Sequence, residues 1–142
     1  MYIAAGESTQ IISPRYPDEP PSNVNVTWLI QTEEDMKLDI TFQDASICST
    51  CSFMAGDGNN KSSGQFFVWS VYRHPPDLFS NGNQMWLRFT TGAFYASGGF
   101  ALTASSVTRN GEKKALSLQY IFSSNKTVVD FFYQSYNKIK TI

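Results

Sequence analysis

Cys48-Ser-Thr-Cys51 is the arrangement in this 142-residue sequence best suited to redox or metal chemistry. Two thiols three residues apart exchange disulfides when a helix N-terminus depresses one thiol's pKa, and no helical periodicity adjoins this pair. Structural zinc needs four ligands, and the sequence holds 2 cysteines and 1 histidine. The preferred expectation is a local structural disulfide in a long loop. Closing so short a loop removes less unfolded-state entropy than a long-range bridge would, and its role would be to stiffen the loop tip.

The remaining reactive side chains are no better placed for catalysis. His74 lies in Tyr72-Arg-His-Pro-Pro76, a proline-locked loop, and no nucleophile motif accompanies it. Glu33, Glu34 and Asp35 are consecutive in a turn, which makes a solvated charge run rather than an acid/base pair facing across a cleft. Asp57-Gly-Asn-Asn has the look of a metal loop but lacks the spaced acids and terminal glutamate of a helix–loop–helix site. No glycine-rich phosphate loop and no metal-binding histidine pair occur. The chain is expected to be no enzyme and to carry no cofactor.

The elements around these residues read as strands. Gly6 to Ile30 gives a strand, a connection punctuated by Pro14, Pro17, Pro20 and Pro21, and a second strand with Trp28 and Ile30 alternating against Thr27 and Leu29. Met36, Leu38, Ile40 and Phe42 alternate with Lys37, Asp39 and Thr41. Gln65–Tyr72 has strand composition, and Asn83–Phe89 and Gly99–Ala104 alternate again. No stretch holds an amphipathic helical period over three turns. The fold class expected is all-β, an antiparallel two-sheet sandwich.

One domain is the prior at this length. A net charge of −1 with mixed signs leaves no electrostatic footprint for nucleic acid. No apolar run approaches the ~20 residues of a membrane span, so no direct membrane insertion is expected. Met1–Ala5 is too short for a signal peptide and reads as a start methionine on a piece of a larger protein. Residues 106–142 form a C-terminal extension: a charged Arg109–Lys114 turn, then strands over Leu116–Phe122 and Thr127–Tyr133. Because a lone hairpin is marginal in water, this extra C-terminal hairpin is expected to pack on the sandwich or to begin a neighbouring domain.

The opening run resembles the start of a CUB domain, whose pattern is G-x-I-x-S-P-x-Y-P, a Pro/Asn turn, then N-x-x-C-x-W-x-I. Ile12, Ser13, Pro14, Tyr16, Pro17, Asn23, Trp28 and Ile30 match, and Val26 stands at the cysteine position. Asn83–Phe89 and Gly99–Phe100 resemble two later strands, so the resemblance covers about residues 6–105, with a poor match over Ala45–Gly64. It implies a jelly-roll-like sandwich over 1–105 that acts outside the cell. It also implies that the family's first disulfide is missing and that only Cys48 matches the second. Family members often bind calcium through three acids that then engage a partner's lysine. Here Phe89-Thr-Thr is followed by Gly92 where an acid is wanted, and no acid stands at Ile47 or Cys48. Asp44 and Asp57 are the nearest carboxylates, so a calcium site is disfavoured.

What remains is surface recognition. If Met85, Leu87 and Phe89 face inward, Trp86 and Arg88 face outward, and that pairing is enriched at interface hot spots. The competing reading is that the C-terminal hairpin covers this face. Phe53 and Met54 beside the cysteines, and Phe94 and Tyr95 in the Gly92–Gly99 loop, are candidate loop-tip contacts. Asn25-Val-Thr27, Asn60-Lys-Ser62 and Asn125-Lys-Thr127 are glycosylation sequons, each placed on an outward face, in a polar loop or at a hairpin tip. With the resemblance, they point to a secreted address or an ectodomain. The function expected is a non-catalytic, calcium-independent interaction module of a larger protein, with an extracellular or cell-surface protein as partner. The alternatives are a glycan-binding module and a structural spacer.

Overall fold

The computed structural model describes residues 1–60, 64–69, 73–94 and 97–109. Among these residues there is no helix. Eight strands follow in order: β1 (Ser8–Ile12), β2 (Asn25–Gln31), β3 (Met36–Ile47), β4 (Ser52–Asp57), β5 (Gln65–Val68), β6 (Leu78–Phe79), β7 (Gln84–Thr90) and β8 (Gly98–Thr108). They form two four-stranded antiparallel sheets, ordered β1-β8-β3-β6 and β2-β7-β4-β5. Consecutive strands mostly alternate between sheets, so closing the sandwich buries the inner faces of both.

The alternation in the sequence fixes which side of each strand is buried. Met36, Leu38, Ile40 and Phe42 of β3 are buried, as are Met85, Leu87 and Phe89 of β7. A register shift between Phe42 and Asp44 lets β3 continue beside β8 as far as Ile47. Phe100 sits at the centre of the core. Its ring meets Phe53 at 5.1 Å, Phe89 at 5.2 Å and Trp28 at 5.9 Å, all edge-on. Edge-to-face contacts put the positive rim of one ring on the negative face of another, which adds to the area each ring buries.

The structure differs from the sequence reading at β4, β5 and β6, the last of which, Leu78–Phe79, was not read as a strand. β4 occupies a stretch read as loop, and β5 ends at Val68, short of the expected Tyr72, of which residues 70–72 lie outside the described residues. The strands expected at Leu116–Phe122 and Thr127–Tyr133 lie outside them too.

Truncating Phe100 should expose this dependence. Phe100→Ala removes a ring packed against both sheets and should cost about 3–5 kcal/mol. Phe79→Ala, at an exposed position of β6, should stay within about 0.5 kcal/mol. Guanidinium unfolding of the two variants, with a shifted midpoint and unchanged slope for the first, checks this.

Candidate functional site

Three connections converge at one end of the sandwich. Between β1 and β2, the backbone turns through Arg15 and Asn23 at positive φ, 68° and 58°. Asparagine tolerates that region better than most residues. Ser13 anchors the start of this loop: its hydroxyl accepts from the Phe100 amide at 3.0 Å. Thr91 anchors its end, donating to the Pro21 carbonyl at 2.6 Å and accepting from the Val24 amide at 2.8 Å. The Asn23 amide then reaches the Gly92 carbonyl at 2.9 Å, and the Ser22 hydroxyl donates to the Phe94 carbonyl at 3.0 Å. The β7–β8 loop is thereby tied to the proline loop. Arg15, Asp18, Glu19 and Pro21 line an open groove of about 720 Å³ there.

The third connection is the turn from β3 to β4. Cys48 and Cys51 form a disulfide across it, their Cα atoms 5.0 Å apart. The Cys51 amide also bonds the Cys48 carbonyl at 3.0 Å. Both cysteines are buried and join the core, with the exposed Ser49 and Thr50 between them, so the bridge pins this turn to the core. It closes the crossover from one sheet to the other. Thr50 in the turn packs against Gly92, where an added Cβ would sit 3.2 Å from its side chain.

The candidate contact residues fare unequally. Phe94 is 81% exposed at the converged end, while Tyr95 lies outside the described residues. Phe53 is no loop-tip contact: it lies on β4, fully buried against Phe42 and Phe100. Met54 is also on β4, half-buried on the outer face. Trp86 requires the clearest correction. Parity does place it on the outer face, opposite Met85 and Leu87, yet only 1% of it is exposed. Its cross-strand neighbours are Leu29 and Gly56, and a Cβ on Gly56 would come within 2.4 Å of the indole. The missing side chain lets the ring sink onto the sheet. Trp86 therefore offers neither a protein hot spot nor a platform for sugars. Arg88, two residues on, is half-buried and donates from Nε to Asn25 Oδ1 at 3.2 Å. Of the sequon residues, Asn25 and Asn60 are exposed, and Asn125 lies outside the described residues.

Both carboxylates considered for metal binding have protein partners. Asp44 accepts from the Tyr16 hydroxyl at 2.7 Å. Asp57 receives the Asn81 amide at 2.8 Å and its Nδ2 at 2.7 Å, one on each oxygen. Among the described residues, no three acid, histidine or cysteine side chains converge. His74 is exposed in its loop, with Nδ1 3.0 Å from the Pro75 carbonyl oxygen. Residues 2–103 of the chain match the CUB domain.

This chain belongs to the CUB domain family.

Several proteins carry similar domains. Bone morphogenetic protein 1 of Xenopus laevis is 29% identical over 101 residues, which is 68% of this chain and 14% of that protein. Human cubilin is 31% identical over 94 residues, 63% of this chain and 3% of cubilin. This CUB domain therefore spans only a small part of the curated relatives it matches. Among solved structures, the full extracellular region of zebrafish Gpr126/Adgrg6 has a TM-score of 0.62 at 22% identity, covering 76% of this chain and 14% of that one. The MASP-1 CUB2 domain bound to Ca2+ has a TM-score of 0.58 at 17% identity, covering 73% of this chain and 96% of that one. At such identities these likenesses show the fold alone.

In this CUB domain the Tyr16–Asp44 contact was not legible as a pair, although Tyr16 belongs to the opening motif. The bond to Asp44 is the main reason that the Tyr16 hydroxyl is raised above its ordinary 10.0, with desolvation and the Asp44 charge adding to it. A raised folded value means the contact is intact below pH ~10 and is lost as pH rises through the elevated value. Asp44→Asn should return this tyrosine toward its ordinary range. Phenolate absorbance titrated against Tyr16→Phe, which removes the group, reads the difference.

Proposed function

We propose that this CUB domain is a non-catalytic, calcium-independent protein-interaction module of a larger extracellular or cell-surface protein, and that it binds through the end where the three connections converge. The observation that carries this reading is Phe94. An aromatic ring 81% exposed is unusual, and its backbone carbonyl accepts from the Ser22 hydroxyl, which ties its loop to the proline loop. The groove beside it adds charges of both signs through Arg15, Asp18 and Glu19. A buried aromatic anchor with a polar rim is the usual anatomy of a protein contact. CUB domains typically serve as extracellular interaction modules, and CUB-containing relatives act outside the cell or at its surface.

Calcium independence is supported by the partners of Asp44 and Asp57, which are neutral donors from the chain itself. Thermal unfolding in millimolar calcium and in chelator should give the same midpoint. A site near saturation would raise it by roughly five to ten degrees, and that result would overturn the reading.

The binding surface is tested with a photo-crosslinking residue at position 94 and, as a control, at the exposed position 79 on β6. Position 94 should capture one extracellular partner and position 79 should not. Phe94→Ser should weaken that partner's affinity by about tenfold or more. Equal capture from both positions, or unchanged affinity, would place the contact elsewhere.

A further inference from the structure

We propose that Asn25 carries an N-linked glycan whose root amide is held by Arg88 on the outer face of the β2-β7-β4-β5 sheet. Asn25-Val26-Thr27 is an acceptor sequon with valine, not proline, in the middle. Many sequons are never used, and the structure adds what the motif lacks. Asn25 opens β2, which lies at the edge of its sheet, and its side chain is exposed. Val26 beside it packs toward the core, so strand alternation turns Asn25 to the outer face with Thr27 and Leu29.

Arg88 decides which way the amide points. A guanidinium only donates hydrogen bonds, so the amide oxygen must face it, and it does so at 3.2 Å from Nε. The amide nitrogen is then turned away from Arg88. That nitrogen is the atom that takes the sugar. Oligosaccharide transfer from a lipid-diphosphate donor breaks the sugar C1–O bond and forms a C1–Nδ2 bond. The lipid diphosphate leaves and the amide gives up one proton. The carbonyl oxygen is untouched, so the Arg88 bond survives in the modified protein.

This inference rests on the extracellular reading, and the test separates the two. The full chain is secreted from eukaryotic cells, and its glycans are removed by peptide-N-glycosidase in heavy-oxygen water, which marks each occupied asparagine as labelled aspartate. The mark is expected at Asn25 and should vanish in Thr27→Ala. Attachment precedes folding, so Arg88→Gln should keep the mark. The same variant should speed enzymatic release from the folded protein severalfold while leaving release from denatured protein unchanged. An unmarked Asn25 in molecules marked at Asn60 or Asn125 would overturn the site and leave the extracellular reading standing. No mark at any of the three in protein from its native source would end both. Unchanged release from folded Arg88→Gln would remove Arg88 from the proposal.

Discussion

The grip of Ser13 on Phe100 is the contact from which the rest of the sandwich can be understood. The hydroxyl takes the Phe100 amide, and the Ser13 amide takes the Phe100 carbonyl at 3.0 Å. One residue of β8 is thus locked to the start of the proline loop, and its ring is driven between the sheets. The approach is so close that a Cβ on the preceding Gly99 would lie 2.8 Å from the Ser13 oxygen. Glycine is required there for space. Phe42, Phe53, Phe89 and Trp28 then pack edge-on around the ring that this contact presents.

Similar hydroxyl contacts recur within and between the sheets. Thr32 and Ser106 share a buried bond of 2.6 Å, Ser8 meets Ser105 at 2.8 Å, and Ser80 takes the Leu38 amide at 2.8 Å. Each satisfies polar groups that burial would otherwise leave costly. With Val26 at a position where the family places a cysteine, the tie between loop and sheet is made by such bonds and by packing.

The sheet alternation was legible because apolar residues alternate along β2, β3 and β7 and through Phe100 and Leu102 of β8, and the resemblance supplied their order. Parity also placed Trp86 and Arg88 on the outer face correctly. What parity cannot give is depth. Trp86 lies against Gly56, a residue on another strand whose register with Trp86 is set only when β4 pairs with β7. β4 itself was missed because Ser52–Asp57 has little β-branched content and follows a cysteine turn that reads as loop. β6 is two residues long, below the length at which any period shows. At the converged end, Phe94 stood out in the sequence as a loop aromatic. The bonds that tie its loop to Ser22 and Asn23 join residues about seventy apart, and no local pattern encodes them.

The Cys48–Cys51 bridge also determines how the chain would bear a mechanical load. A long-range disulfide shortens the length a domain can yield when its ends are pulled. Here the bridge withholds only about 5 Å, roughly 10 Å of extended chain less the 5.0 Å already separating the two Cα atoms. The whole polypeptide could extend to roughly 480 Å, so nearly all of it is available to pay out under tension. Resistance to force in this domain is therefore the resistance of its strand ladders and of the rings around Phe100, with no covalent stop behind them.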